Sequence, residues 1–349
     1  MTKSIRVLYT LLDLLPKKAG MKIKLILNIC RHDWRFFSEK AFFPFAHCFR
    51  GDLEAELETL RPQVDGRSFA AVMRFLEKVM RENAFMDALD PYRDCVFIDY
   101  SKLDKFFLMP PPRTGALDSA RKKYGIETSV PEALVFQHGV AFLSPEQRRY
   151  FDGRIALDAG SCCGHCTVPL LKEYPFAEVW AFEPNAGSRR RFEENMKRNR
   201  IDPARRRQFP FGVSDREETV FYDDSGMDLG RSGRAECRII TIDGIAREQG
   251  CSDRIGLIKA DVEGMGLKLL RGAVEVIRKS RPVLALAAYH CPEELFGQVH
   301  FIMENFSGYR LVFTDLPPGS GWELTLLALP AELGEIDMER FVDSFPGVS

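Results

Sequence analysis

RIALDAGSCCGHCT, residues 154–167, is the stretch of this 349-residue chain that first indicates its fold. A short apolar run ends in Asp158 and Gly160, and a segment with helical character follows as far as residue 174. Gly160 and Gly164 permit positive φ angles and allow a ligand to approach the backbone closely. A strand, a glycine-containing turn and a helix in this order are typical of an α/β unit that binds a nucleotide.

The same alternation continues along the chain. Further apolar runs occupy residues 178–184, 254–264 and 282–290, with helical segments between them. The run at 282–290 is almost entirely apolar, as expected for a strand covered on both faces. Residues 309–315 and 322–330 can close the sheet as a hairpin. The pattern predicts an α/β protein with a Rossmann-like, doubly wound, mainly parallel sheet.

The first third of the chain has a different pattern. Residues 1–107 are mostly helical in character, with a possible isolated strand at 95–100 and an aromatic and basic stretch at 31–50. We interpret that stretch as the packed edge of a helical subdomain, with membrane or partner contact as the alternative. Prolines within 109–115 indicate a linker. We expect a mostly helical N-terminal region at 1–125 and an α/β domain at 126–349, with recognition of a ligand or partner by 1–125 and the loop 223–236.

The composition argues against several classes of protein. Lys and Arg total 49 and Asp and Glu total 50, so there is no general reason to expect a nucleic-acid partner. The apolar start of the chain is too short and too charged to span a bilayer. Nine cysteines show no disulfide framework, and no secretory signal is evident. We therefore expect a cytoplasmic protein without a transmembrane segment.

Polar residues and glycines lie at the predicted carboxyl ends of the strands, where ligands of doubly wound sheets bind. Glu183 follows Gly164 by 19 residues (183 − 164) and ends the second strand. An acid at this position can accept both hydroxyls of a ribose. Asp158 can bind the charged amino-acid end of a ligand, directly or through water. The glycine loop is not the G-x-G-x-x-G of a dinucleotide site, so the combination predicts S-adenosylmethionine (SAM), which has no pyrophosphate.

The cysteines of the loop permit a second interpretation. Cys163 and Cys166 form a C-x-x-C motif, which at a helix N-terminus can act as a thiol–disulfide oxidoreductase. The surrounding sequence lacks the aromatic residue that usually precedes the first cysteine of such sites. It also lacks a second C-x-x-C or an H-x₃₋₅-H pair that would complete a zinc site. We expect small loop residues and no metal, with the oxidoreductase as an alternative.

Six segments together resemble the FkbM-type SAM-dependent methyltransferases. They are LDAGSCCGHCT (157–167), VWAFEPN (179–185), FGVSD (211–215), TIDG (241–244), LIKADVEGMGLKLLRGA (257–273) and RPVLALAAYHCPEEL (281–295). The resemblance implies a class I methyltransferase fold and methyl transfer to a hydroxyl of a sugar, glycolipid or polyketide-like acceptor. It also implies cofactor contacts at Asp158, Gly160, Ser161, Gly164, Glu183, Asn185, Gly212 and Val213. QHGVAFL (137–143) is similar to the lead-in of some longer members.

The chain departs from the family pattern at two places. Ser161 and Cys162 stand where members usually carry Ala-Asn, which removes an amide that would shape the loop. Gly266 stands where members often carry an acid, which removes a carboxylate near the acceptor site. These departures leave open a non-catalytic SAM-binding or scaffold protein.

Methyl transfer to a hydroxyl also needs a group that receives the hydroxyl proton. His290 is the first candidate, because it ends a core strand and histidine titrates near neutrality. Asp261 is the second, since class I methyltransferases often place an acid at that strand end. Glu263 can bind the acceptor or cap the next helix. Lys259 lies within a strand, and because a buried lysine needs a partner, we expect it to pair with one of these acids.

Overall fold

The computed structural model describes residues 53–87, 114–126, 128, 132–222, 235–315 and 324–336. The predictions for the aromatic stretch 31–50 and the strand 95–100 lie outside these ranges, as do most of the predicted linker 109–115 and most of the loop 223–236.

A seven-stranded sheet forms the centre of the fold. The strands of the described residues are β1 (Ile155–Ala159), β2 (Glu178–Phe182), β3 (Arg206–Phe209), β4 (Phe211–Val213), β5 (Glu218–Tyr222), β6 (Ala235–Ile240), β7 (Ile255–Ala260), β8 (Val283–Ala287), β9 (Tyr309–Asp315) and β10 (Leu324–Pro330). The large sheet has the order β3-β2-β1-β7-β8-β10-β9, and β4-β6-β5 form a small second sheet. In the large sheet, the five strands β3, β2, β1, β7 and β8 are parallel to one another, whereas β9 and β10 form an antiparallel hairpin. This confirms the predicted doubly wound, mainly parallel sheet and its closing hairpin.

Helices cover both faces of this sheet. They are α1 (Leu53–Leu60), α2 (Gly66–Asp87), α3 (Thr114–Tyr124), α4 (Glu132–Phe136), α5 (Pro145–Arg148), α6 (Thr167–Glu173), α7 (Ala186–Arg198), α8 (Ile242–Glu248), α9 (Gly266–Arg271), α10 (Val274–Ser280) and α11 (Gln298–Asn305). A π-helical turn, Glu293–Gly297, precedes α11. Among these described helices, none combines the length and apolarity needed to cross a bilayer.

Two hydrophobic cores lie on opposite faces of the sheet, because successive strand residues point to opposite sides. Leu157 of β1 belongs to the core that α2 and α8 to α11 cover, and its neighbour Ala156 belongs to the core beneath α3, α4, α6 and α7. The predicted helix after β2 contributes Phe192 and Met196 to the second core, and both are fully buried.

Helix α2 lies against the hairpin strand β9 and shares the first core with it. The backbone N–H of Phe313 donates to Oγ of Ser68 at 3.0 Å, and Val64 forms a parallel bridge with Leu311. The described residues 53–76 therefore pack directly on the sheet. The division of the chain at residue 125 stays a prediction.

The order in which the strands are added to the sheet reverses between β1 and β7. After β1 the chain builds β2 and β3 on one side, and it then returns to place β7 on the other side of β1. The loops that follow β1 and β7 meet at this point, since the N–H of Asp261 donates to the carbonyl of Ala159 at 3.0 Å. Gly160 has a φ of 74°, and a Cβ there would lie 1.8 Å from the carbonyl oxygen of Asp261. Only glycine fits between the two loops.

Candidate functional site

Glu183 lies at the carboxyl end of β2, beside the glycine loop that follows β1. Its Oε2 accepts the backbone N–H of Cys162 at 2.9 Å, and its Oε1 accepts that of Asn185 at 2.7 Å. The side chain is almost completely buried. Burial raises the pKa of Glu183 to about 7, although the two backbone donors oppose this effect. A carboxylate held by two backbone donors retains further lone pairs that can accept hydroxyl groups.

The glycine loop is shaped by backbone hydrogen bonds and packing. The N–H groups of Gly160 and Ser161 both donate to the carbonyl of Phe182. Gly164 has a φ of 84°, and a Cβ there would lie 2.6 Å from Cε of Met196 on α7. Asn185 caps α7, since its side chain accepts the N–H of Ser188. The predicted cofactor residues of this loop and of the β2 end therefore lie together.

Cys162 also has a left-handed backbone conformation, with a φ of 48°. Asparagine adopts this conformation more readily than cysteine does. Cys162, where the family usually carries Asn, therefore still supplies the N–H that binds Glu183. It is, however, less suited than Asn to this left-handed conformation.

Asp158 and Lys259 form a buried ion pair in register on neighbouring strands. Oδ1 of Asp158 lies 3.0 Å from Nζ of Lys259, and Thr167 donates to Oδ2 at 2.6 Å. Lys259 also donates to the carbonyl of Gly160 at 2.9 Å. Burial opposes the charge of Lys259, but Asp158 outweighs it and raises the pKa of Lys259 above its usual range. The partner of Lys259 is therefore Asp158 on the neighbouring strand, and not Asp261 or Glu263 as expected from the sequence. The pair connects β1, β7 and the glycine loop.

Asp261 lies at the centre of a second group of polar side chains, at the end of β7. Tyr289 donates its hydroxyl to Oδ1 of Asp261 at 3.0 Å. Nε2 of His290 lies 3.5 Å from the same oxygen, and Nε2 of His138 lies 3.6 Å from Oδ2. Burial favours the neutral acid, but the surrounding His138, Lys259 and His290 outweigh it and lower the pKa of Asp261 below its usual range. Asp261 is therefore a carboxylate at neutral pH.

His290 is surrounded by carboxylates. Its Nδ1 lies 2.7 Å from Oε2 of Glu294, and its Nε2 lies 3.5 Å from Glu263 as well as from Asp261. Burial opposes the charge of His290, but Glu294, Glu263 and Asp261 outweigh it and raise its pKa to about 10. His290 consequently carries a proton at neutral pH, which differs from the near-neutral titration on which its selection as a base depended.

His138 reaches Asp261 from the turn between α4 and the 3₁₀ turn Val140–Phe142. Gln137, His138 and Gly139 all have positive φ values, of 49°, 50° and 79°. Three consecutive left-handed residues are uncommon, and such conformations concentrate at functional sites. Burial lowers the pKa of His138 to about 3, with a further contribution from Lys259, so its imidazole is neutral. Its position inside QHGVAFL is the only sequence signal that could have identified it.

Glu294 was also missed by the sequence analysis. It is fully buried in the π-helical turn, and its Oε1 accepts the backbone N–H groups of Gly264 and Gly266, each at 3.1 Å. A Cβ at Gly266 would lie 2.7 Å from Nε2 of Gln298 and 3.1 Å from Oε1 of Glu294. The carboxylate of Glu294 therefore lies beside the position where the family often carries an acid.

Gly212 and Val213 lie on β4, in the small sheet, where they pair with Ile239 and Ile240. Val213 is buried in the core that covers one face of the large sheet. Their predicted contact with a cofactor stays a prediction.

The cysteines of the loop are arranged differently from a C-x-x-C redox pair. Cys166 is buried, and its Sγ lies 3.8 Å from the carbonyl oxygen of Ala133. The hydrogen bond between Cys163 and Cys162, together with burial, raises the pKa of Cys163. A buried, protonated Cys163 beside a buried Cys166 does not favour the oxidoreductase alternative.

Comparisons with known proteins agree with this fold. Residues 172–311 match the family model of the Methyltransferase FkbM domain. The crystal structure of Methyltransferase FkbM from Methylobacillus flagellatus KT is similar, with a TM-score of 0.55 and 18% identity over 82% of this chain and 60% of that chain. The chain thus spans about three fifths of the length of that protein. None of the curated proteins matches the sequence.

Two further solved structures match with lower scores. They are a putative O-methyltransferase from Klebsiella pneumoniae (TM-score 0.37, 15% identity, 66% of this chain and 94% of that chain) and the O-methyltransferase TomG from Streptomyces achromogenes in complex with SAM (TM-score 0.37, 14% identity, 66% and 96%). With the family match and the sheet order, the resemblance expected from the motifs is confirmed: the chain carries a Methyltransferase FkbM domain, matched over residues 172–311, on a class I methyltransferase fold.

Proposed function

We propose that this protein transfers a methyl group from SAM to a hydroxyl group of a sugar, glycolipid or polyketide-like acceptor. The observation that carries the proposal is the position of Glu183 at the end of β2, where two backbone N–H groups orient its carboxylate beside the glycine loop. This is the point of the sheet at which doubly wound folds bind their ligands. The FkbM domain match supports methyl transfer as the reaction.

The residues at this point fit SAM. Each oxygen of Glu183 accepts one backbone N–H, so about two acceptor positions remain for the two hydroxyls of a ribose. Oγ of Ser161 is buried and has no hydrogen-bond partner among the described residues. Gly160, Ser161 and Gly164 would hold the amino-acid end of the cofactor. When bound, SAM supplies a methyl group on a positively charged sulfur, which needs no further activation.

We assign Asp158 a positioning role in place of direct contact with the cofactor. Its side chain has no exposed surface, and its two oxygens are directed to Lys259 and Thr167. Lys259 in turn holds the carbonyls of Ala159 and Gly160. The pair therefore fixes the position of the glycine loop. Lys259 is almost completely buried, so it is not available to act on an acceptor.

Asp261 is the residue that we propose receives the hydroxyl proton. It is the carboxylate at the loop junction, and about a quarter of its side chain remains exposed (23%). His290, as an imidazolium, cannot accept a proton, and instead orients Asp261 together with Tyr289. Neutral His138 contacts the other oxygen of Asp261. Glu263, more exposed than Asp261, is placed to contact the acceptor.

A calorimetric titration of SAM into the purified full chain tests the cofactor assignment. Glu183→Gln keeps the size of the side chain but replaces one oxygen by an N–H₂ group that opposes a backbone donor. We expect micromolar binding by the wild type and at least a tenfold loss in Glu183→Gln. Glu178→Gln, at the opposite end of the same strand, is the matched control and should bind as the wild type does. Absence of SAM binding in folded wild-type protein would refute the proposal.

Binding alone does not separate an enzyme from a SAM-binding scaffold protein. Incubation with labelled SAM and hydroxylated acceptors of the three proposed classes makes that distinction. We expect transfer of label to a hydroxyl oxygen; label on nitrogen would refute the hydroxyl assignment, and binding without transfer to any acceptor would favour the scaffold.

A further inference from the structure

Three side chains of the glycine loop converge on one point. The Sγ atoms of Cys162 and Cys163 and one ring nitrogen of His165 all lie within 4.8 Å of one another. Sγ of Cys163 lies 3.6 Å from Nδ1 of His165. Cys163 and His165 are each about 4% exposed, whereas Cys162 is partly exposed. The cluster therefore has a buried side and one side that solvent can reach.

The spacing of these atoms suits a tetrahedral metal ion. Zn–S bonds of about 2.3 Å and Zn–N bonds of about 2.0 Å place the sulfur and nitrogen ligands of a tetrahedral centre about 3.5 Å apart. The 3.6 Å between Cys163 and His165 agrees with this value. Two thiolates would also neutralise a divalent cation, so the partly buried site would hold no net charge.

The backbone explains why residues so close in sequence can face one point. Cys162 and Gly164 have positive φ values of 48° and 84°, and the N–H of Gly164 donates to the carbonyl of Ser161 at 2.8 Å. The chain reverses direction between these residues, which allows the side chains of Cys162, Cys163 and His165 to approach one another. Standard metal motifs contain separated pairs of ligands, so the spacing of these three residues in the sequence does not predict a metal site.

We propose that Cys162, Cys163 and His165 bind one Zn²⁺-type thiophilic cation, with a fourth coordination position open to water. Cys166 is not a ligand, because its Sγ lies near the carbonyl of Ala133 and outside the converging group. The ligand pair is thus the adjacent cysteines rather than the C-x-x-C pair. The proposal is independent of methyl transfer, because its test measures metal binding and not enzyme activity.

Titration of the tag-free, reduced full chain with Co²⁺, followed by displacement with Zn²⁺, tests the site. We expect one equivalent of Co²⁺ with a sulfur-to-metal charge-transfer band, which Zn²⁺ removes. Cys162→Ser and Cys163→Ser should each weaken binding by more than the roughly 10–100-fold that loss of an outer-shell partner causes. Cys166→Ser, one position beyond the proposed ligand His165, is the matched control and should keep full binding.

Cys162→Ser is the deciding variant, because its side chain is partly exposed and the substitution should not prevent folding. Thermal melting without metal verifies the fold of each variant. The proposal would be overturned if the wild-type protein did not bind one equivalent of Co²⁺. It would also be overturned if Cys162→Ser bound Co²⁺ as tightly as the wild type does. Loss of binding in Cys166→Ser with retention in Cys162→Ser would also overturn it and assign the metal to the C-x-x-C pair.

Discussion

Nε2 of His138 lies 3.6 Å from Oδ2 of Asp261, which connects the left-handed turn before β1 to the loop after β7. His290 and Tyr289 contact the other oxygen of the same carboxylate. Asp261 therefore has two different sides: one faces a neutral imidazole, and the other faces an imidazolium and a phenol.

If Asp261 receives the hydroxyl proton, Asp261→Asn should lower kcat of methyl transfer by roughly 10²–10⁴. SAM affinity should stay near that of the wild type, because the proposed cofactor contacts lie on the β1 and β2 loops. Labelled-methyl transfer and calorimetry measure these two quantities separately. Asp253→Asn, on an exposed turn before the same strand, should leave both unchanged. Equal rates for Asp261→Asn and the wild type would remove the assignment.

SAM affinity should increase as the pH rises through about 7. Burial raises the pKa of Glu183 to about 7, and only its ionised form offers every oxygen lone pair to the ribose hydroxyls. The apparent Kd varies inversely with the competent fraction, so it should fall by about tenfold between about pH 6 and pH 8. Calorimetry at both pH values measures the change. The dependence should disappear in Glu183→Gln; an identical dependence in that variant would assign the titration to another group.

Gly160→Ala should destabilise the protein more than Gly153→Ala does. Both glycines have positive φ values, of 74° and 67°, so each alanine causes similar backbone strain of roughly 1 kcal/mol. A Cβ at Gly153 meets no atom within 4 Å, whereas one at Gly160 lies 1.8 Å from the carbonyl oxygen of Asp261. We expect Gly160→Ala to lower the free energy of unfolding by about 1–3 kcal/mol more, as measured by urea denaturation. Equal losses would mean that the two loops do not contact each other.

The protonated state of His290 should appear in the stability of the protein at alkaline pH. Its folded-state pKa of about 10 exceeds the ordinary value of 6.5, so its contribution is complete below pH 6.5 and is lost as the pH rises through about 10. The free energy of unfolding of the wild type, relative to that of His290→Gln, should therefore fall between about pH 7 and pH 10. A constant difference between wild type and His290→Gln would show that His290 is neutral.

Six of the seven strands of the large sheet were predictable, because they are short apolar runs that local sequence reveals directly. Strand β3 (Arg206–Phe209) is not an apolar run, and it was not predicted. The need of Lys259 for an acidic partner was predictable, because a buried lysine inside an apolar strand must be paired. The identity of the partner was not, since the structure pairs Lys259 with Asp158 of the neighbouring strand instead of Asp261 or Glu263. The residues around Asp261 were only partly predictable. His290 and Glu263 follow strands, whereas His138 and Glu294 come from a left-handed turn and a π-helical turn whose positions depend on tertiary packing.

Charge states were the least predictable feature of the site. The protonation of His290 depends on three carboxylates, one of which, Glu294, is identified as a neighbour only by the structure. The neutrality of His138 depends on its burial beside Lys259. Sequence patterns identify residue types and approximate faces of elements, but not the sum of charges around one imidazole.

Strand β9 is the outer strand of the large sheet, and such strands can pair with strands of other molecules through their free N–H and C=O groups. The bridge of Val64 to Leu311 and the bond of Ser68 to the N–H of Phe313 occupy part of this edge. Residues 53–76 thus cover part of this edge of the sheet. A shortened chain that starts after residue 87 would expose both this edge and the apolar surface beneath α2, and we expect it to aggregate more readily than the full chain.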